Sequence, residues 1–143
     1  VKDVIVVAME KEEAKTISNL RFVIADAGNL TEYFKKGEVE RIYLNFSDPW
    51  KKKKQAKRRL THKNFLDIYK QILNNGDEIW FKTDNKSLFE FSLNSFAEEN
   101  FKMREICFDL HNSDFENNVM TEYETKFSEQ GMPIYRVCAS YCE

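Results

Sequence analysis

The sequence predicts one α/β domain, residues 1–143, built on a largely parallel sheet. Three observations lead there. Segments with helical and strand-like patterns alternate along the chain. The strand-like runs are nearly continuous in apolar residues, as in strands covered on both faces. The length of 143 residues suits a single domain able to bury roughly two-thirds of its unfolded surface.

Taken in order, Val4 to Ala14 is rich in Ala, Glu and Met and reads as a helix. Arg21 to Ala27 (RFVIADA) reads as a short strand ending in a carboxylate, and LTEYFKKG as a short helix closed by Gly37. Arg41 to Phe46 (RIYLNF) reads as a strand. Thr61 is the expected N-cap of a helix on which Phe65, Ile68, Tyr69 and Ile72 recur at helical spacing, with Gly76 as its left-handed stop. Glu78 to Asp84 (EIWFKTD) reads as a strand. The following SLFEFSLNSFAEEN reads as a helix with Leu88, Phe89, Leu93 and Phe96 on its apolar side. MREICFDL and PIYRVCAS read as two last strands, joined by a long polar loop. Without a helix between them they are expected to pair antiparallel at one edge.

Composition narrows the function classes. Apolar content is 42% and aromatic content 14%, which argues against disorder. No apolar run approaches the roughly 20 residues of a membrane helix, and no signal-peptide pattern opens the chain. Cys107, Cys138 and Cys142 are odd in number and lack paired spacing, so reduced thiols in a cytoplasmic protein are expected. With two histidines and no Cys pair at ligand spacing, no metal site is expected. His62 reads as a first-turn helix residue and His111 as a residue that shapes the loop.

The net charge of −2 hides a strong asymmetry. Lys51, Lys52, Lys53, Lys54, Lys57, Arg58 and Arg59 carry +7, which leaves −9 on the rest of the chain. A compact basic block on an acidic body suggests one oriented docking site for a polyanion; the plainer alternative is a solvated charge run. Asp26, Asp48 and Asp84 each stand at or just beyond the end of a strand-like run. Ligands of open α/β sheets sit beyond the carboxyl ends of strands, so the three acids are expected in one cleft with the basic block on its rim. Taken singly, each acid could equally be a helix cap or turn former.

YLNFSDPW, the basic run ending in KRRLTHKNF, then FKTDN, FDLHNSDFENNVMTEYETKF and PIYRV together resemble the bacterial tRNA (guanine-N7-)-methyltransferase family. The resemblance runs from Asp26 to Ala139, more weakly before that. It implies a Rossmann-like class I methyltransferase sheet, mostly parallel with an antiparallel C-terminal edge pair, and S-adenosylmethionine as methyl donor. The implied acceptor is N7 of a guanine in the tRNA variable loop. By motif it implies that Asp26 and Asp48 contact the cofactor and that Asp48 is the catalytic acid. Lys52, Asp84, Thr121, Glu122, Tyr123 and Glu124 would contact tRNA. Trp50, Lys51, Lys57, Arg58 and Arg59 are further candidates for tRNA backbone or base contacts. A monomer or homodimer with no membrane association is expected.

The chemistry suits these residue types. Guanine N7 is a lone-pair nucleophile needing no base, so the protein's task is positioning and electrostatics. A carboxylate can accept from guanine N1–H and the exocyclic amine. Pro49 fixes φ in the loop, and Trp50 offers a stacking face or a core filler.

Two departures stand out. The family's glycine-rich cofactor loop and ribose-holding acid are expected before Val1, and the four glycines here form no G-x-G pattern. The chain is thus expected to be the C-terminal two-thirds of a methyltransferase domain, lacking the first two strands, and inactive alone. Lys51 stands where the family usually has a second proline, so Lys51 or Lys53 could take the role of Lys52. Rival readings are a methyltransferase acting on an exocyclic amine and a non-catalytic RNA-binding module using Lys51 to Arg59. In a third, a separate chain supplies the cofactor half.

Overall fold

The computed structural model describes residue 10, residues 18–112, residue 118 and residues 120–143. The expected first helix, Val4 to Ala14, lies almost wholly outside the described residues. Among the described residues four strands form one sheet: β1 (Val39–Asn45), β2 (Leu73–Thr83), β3 (Phe101–Cys107) and β4 (Tyr135–Tyr141), in the spatial order β1-β2-β4-β3. The β1–β2 pair is parallel, with Leu44 opposite Phe81. The β2–β4 and β3–β4 pairs are antiparallel, with Phe81 opposite Val137 and Met103 opposite Ala139. The antiparallel C-terminal edge pair is therefore present. Among the described strands, however, β4 also pairs antiparallel with β2, so parallel pairing is confined to β1–β2.

Among the described residues four helices accompany the sheet: α1 (Leu30–Tyr33), α2 (Lys63–Ile72), α3 (Lys86–Glu98) and α4 (Glu122–Glu129). Leu66, Tyr69 and Ile72 form the buried stripe of α2; Leu88, Phe89 and Phe96 form that of α3. Leu66 and Tyr69 of α2 and the α3 stripe belong to one core with Leu44, Ile79, Phe81, Val137 and Ala139, which share one sheet face by the two-residue period of strands. Burying a Phe or Leu side chain there contributes about 1.5–3 kcal/mol. The other face is aromatic and charged. Trp80 receives Arg41 at 4.1 Å and Arg136 at 4.5 Å from its ring centroid, and Arg104 grips Glu78 with contacts of 2.6 and 2.7 Å. Tyr43 on that face is 55% exposed, so the expectation of β1 covered on both faces is not met among the described residues.

Several local expectations are corrected. Residues 21–26 form no strand; Val23 and Ile24 are 60% and 52% exposed and have no pairing partner among the described residues. Thr61 is not the cap of α2, because it is buried with its hydroxyl 2.6 Å from Ser92 Oγ. His62 takes that place, its Nδ1 accepting from the Asn64 N–H at 3.1 Å. Gly76 (φ 89°) does not stop the helix but lies within β2, since α2 passes directly into the strand through Leu73 in extended backbone. The long polar loop contains α4.

Candidate active site

β1 ends at Asn45, and the chain leaves the sheet through Phe46, whose N–H still donates to the Lys82 carbonyl at 2.9 Å. Phe46 has φ 55° and Trp50 φ 44°. Left-handed backbone costs a non-glycine residue about 1–2 kcal/mol. The Ser47–Asp48–Pro49 segment is thus held between two disfavoured conformations. Such strain persists only where the surroundings over-determine it.

Part of that determination comes from the basic block. Residues Lys53–Arg58 form a short 3₁₀ helix, and the Lys52 N–H donates to the Gln55 side chain at 3.3 Å. Arg59 then turns back on the loop, its Nε 3.0 Å from the Pro49 carbonyl and its Nη2 2.9 Å from that of Trp50. Arg58 places its guanidinium 5.0 Å from the Trp50 ring centroid.

Asp48 and Asp26 share the wall of one open cleft of about 610 Å³. Ala27, Leu60 and Phe65 give it apolar walls, Ser47 and Trp50 continue the Asp48 side, and Lys57 and Arg58 bring positive charge to it. Both acids are exposed. Asp26 also caps a turn, its Oδ1 accepting from the Gly28 N–H at 2.7 Å, which leaves acceptor capacity on the carboxylate. Ser47 Oγ is buried without a hydrogen-bond partner among the described residues.

Asp84 follows β2 but is not among the residues lining this cleft. Its Oδ2 accepts from the Tyr123 hydroxyl at 3.2 Å, and the Tyr123 ring lies 4.7 Å from that of Phe46. Burial, with the Asp84 charge and hydrogen bond behind it, pushes the Tyr123 phenol above its ordinary value. Asp84 is thus tied through Tyr123 to Phe46, two residues before Asp48.

The TEYE segment divides by role. Thr121 Oγ1 accepts from the Glu124 N–H at 3.0 Å, and the Thr121 N–H reaches back to Glu124 Oε2 at 3.4 Å, a reciprocal cap at the start of α4. Glu122 is exposed, whereas Glu124 is fully buried. Its Oε2 accepts from Lys82 Nζ at 2.7 Å, its Oε1 from Asn118 Nδ2 at 2.9 Å, and His111 Nε2 stands 3.0 Å from Oε1. Burial pushes the Glu124 carboxyl up, but the Lys82 and Asn118 hydrogen bonds and the Lys82 charge outweigh it and hold the group below its ordinary value. Lys51, Lys52, Lys53 and Lys54 are exposed.

Sequence reasoning expected Asp26, Asp48 and Asp84 in one cleft with the basic block on its rim; the cleft brings together Asp26, Asp48, Lys57 and Arg58 and leaves Asp84 outside. Sequence reasoning missed the inward turn of Arg59 and the buried Lys82–Glu124 pair. The T-x-x-E spacing of Thr121 to Glu124 was a readable helix-start signal. Among the described residues no group of three or more His, Cys, Asp or Glu could hold a metal, and no helix is long and apolar enough to cross a membrane. The three cysteines are free: Cys138 buried, Cys107 half-buried, Cys142 exposed.

A family model described as "Putative methyltransferase" matches residues 1–137. A tRNA (guanine-N(7)-)-methyltransferase of Streptococcus pneumoniae (strain CGSP14) is 53% identical over 140 residues, covering 98% of this chain and 66% of the relative. One of the same name from Listeria monocytogenes serotype 4b is 53% identical over 141 residues, covering 99% of this chain and 66% of the relative. That of Bacillus cytotoxicus is 56% identical over 138 residues, covering 96% and 64%. The chain thus spans about two-thirds of the length of the curated relatives it matches. Among solved structures, geranyl diphosphate C-methyltransferase from Streptomyces coelicolor, in complex with S-adenosyl-L-homocysteine, superposes with a TM-score of 0.51 at 15% identity. The match covers 94% of this chain and 59% of that one, and supports a methyltransferase-type α/β fold. The family model over nearly the whole chain, together with relatives more than half identical, shows that the chain belongs to this methyltransferase family.

Proposed function

We propose that the protein carrying this chain transfers a methyl group from S-adenosylmethionine to N7 of a guanine in the variable loop of tRNA, in the cytoplasm. The observation that carries the reading is the cleft. Asp48 and Asp26 line it together, Lys57 and Arg58 bring cationic charge to the same wall, and it follows the carboxyl end of β1. The curated relatives named as tRNA (guanine-N(7)-)-methyltransferases support the choice of substrate.

The residues present fit the cofactor. Two carboxylates complement a cationic sulfonium compound, Leu60 and Phe65 offer apolar walls for an adenine, and the buried Ser47 Oγ lacks a partner among the described residues. S-adenosylmethionine, when bound, supplies an electrophilic methyl group. Asp48 accepts hydrogen bonds from the guanine N1–H and exocyclic amine, which selects guanine and turns N7 toward the donor. The Asp48 carboxylate also offsets positive charge that develops on the purine ring. Trp50 gives the base a stacking wall, worth about 1–3 kcal/mol in sites for unpaired bases. Lys51, Lys52, Lys53, Lys54, Lys57 and Arg58 hold the tRNA backbone by charge and shape. Asp84, with Tyr123, Thr121 and Glu122, borders the bound nucleotide.

The test incubates the full-length protein with unmodified tRNA and radiolabelled S-adenosylmethionine, then maps the methylated base. Label at N7 of a variable-loop guanine is expected. Tight, salt-sensitive tRNA binding with no label overturns the reading and leaves an RNA-binding module.

A further inference from the structure

The two arginines that end the basic block face different ways. Arg58 is exposed and lies over the Trp50 ring, whereas Arg59 is half-buried and points inward. Its Nε is 3.0 Å from the Pro49 carbonyl oxygen and 3.3 Å from that of Trp50, to which Nη2 also donates at 2.9 Å. The same guanidinium stands 4.5 Å from the centroid of Phe91. Phe91 belongs to α3, which is anchored in the core through Leu88, Phe89 and Phe96.

We propose that Arg59 is a positioning residue for Asp48: it ties the Pro49–Trp50 backbone to α3 and does not bind the tRNA phosphates. The proposal rests on the reading that Asp48 acts in methyl transfer. The physical reason lies in the fork. A planar guanidinium can serve two successive carbonyls in a fixed geometry and still stack on an aromatic ring, which a lysine ammonium cannot do. Trp50, with φ 44°, sits in backbone that its Cβ disfavours. The carbonyls on both sides of that residue's N–H are the ones Arg59 holds, so releasing them frees the loop to relax. Asp48 immediately precedes Pro49 and moves with it. In the sequence Arg59 is indistinguishable from its phosphate-binding neighbours; only its direction separates them.

The test compares the full-length wild type with Arg59→Lys, which keeps the charge, and Arg59→Gln, which removes it. Three readouts are taken: the salt dependence of tRNA affinity, the single-turnover methylation rate at saturating tRNA, and the indole N–H resonances of Trp50 and Trp80. Circular dichroism checks the fold of each variant. Positioning predicts that both variants keep the salt slope and a tRNA Kd within about twofold. It also predicts a rate lowered about 10–100-fold, as for a displaced catalytic group. The Trp50 resonance moves and that of Trp80 stays. A phosphate contact predicts instead that Arg59→Lys behaves as wild type, while Arg59→Gln flattens the slope by about 0.9 and leaves both indoles in place. That result overturns the proposal. If the wild type forms no product, the functional reading fails by itself, and the salt slope and the Trp50 resonance still decide where Arg59 points.

Discussion

Replacing Glu124 by Gln probes the most buried charge in the described structure. Glu124 is 0% exposed and Lys82 5%. The carboxylate receives Lys82 Nζ at 2.7 Å, Asn118 Nδ2 at 2.9 Å and the Thr121 N–H at 3.4 Å. Removing one member of a buried pair costs about 3–5 kcal/mol, because the remaining charge loses the opposite charge beside it. A glutamine keeps the shape and some hydrogen bonding, so about 3 kcal/mol is expected. For a protein of 150–250 residues that corresponds to a melting temperature lower by about 6–12 °C. The assay is urea unfolding of the full-length protein, for Glu124→Gln, Lys82→Met and the double variant. The double variant should cost less than the sum of the singles by about 2 kcal/mol, since each single already breaks the pair.

The same pair gives a pH signature. The folded Glu124 carboxyl lies below its ordinary value. The unfolded chain then binds more protons as pH falls, so stability is present above the ordinary glutamate range near pH 4.3 and is lost on descending through the folded value. Wild type should shed stability in that acid window, and Glu124→Gln should lose the corresponding share of the slope. A Gln variant within about 0.5 kcal/mol of wild type, with an unchanged acid limb, would refute the reasoning.

Other predictions concern neighbouring parts. Tyr123→Phe keeps the ring against Phe46 and loses only the hydroxyl on Asp84, so unfolding should change by about 1 kcal/mol or less, while Tyr123→Ala should cost methylation rate as well. If five cations of the basic block contact phosphates, tRNA affinity should fall with salt at a logarithmic slope of roughly −3.5 to −4.5; Lys51, Lys52, Lys53 and Lys54 changed together to Gln should flatten it by up to about 2.8–3.6, read by filter binding. Phe81→Ala, at a residue fully buried in the core, should cost about 3–5 kcal/mol in urea unfolding.

How much was legible differs by kind of feature. The helices around Phe65 to Phe101 followed from apolar periodicity: Tyr69, Ile72, Leu88, Phe89 and Phe96 are buried as expected, whereas Leu66 completes the α2 stripe and Phe65, Ile68 and Leu93 are only half-buried. The antiparallel edge pair was also expected correctly, though for an incomplete reason: α4 does lie between β3 and β4. The polar face of α4 hid it, since Glu124 looks like a solvated acid until Lys82 is brought to it from 42 residues away. The run RFVIADA misled because β-branched residues favour strands only where a neighbour pairs with them, and Val23 and Ile24 have none among the described residues. Thr61 and Gly76 misled because tertiary contacts overrode local preference: the hydroxyl was claimed by Ser92, the glycine by β2. For the site, Asp26 and Asp48 were legible as acids at the ends of apolar runs. The direction in which Arg59 points was not, because seven cations in nine residues carry no information about which one faces inward.

The most direct test of the account is Asp48→Asn in the full-length protein, read as single-turnover methylation against tRNA affinity. Asn keeps the volume and one acceptor but loses the charge and donates where the carboxylate accepted. The account predicts that the rate at saturating tRNA falls at least about 100-fold, the scale of losing one electrostatic group aimed at the reacting atoms, while the tRNA Kd and its salt slope hold. A rate near that of wild type, with N7 still methylated, would contradict it and reduce Asp48 to a turn residue before Pro49.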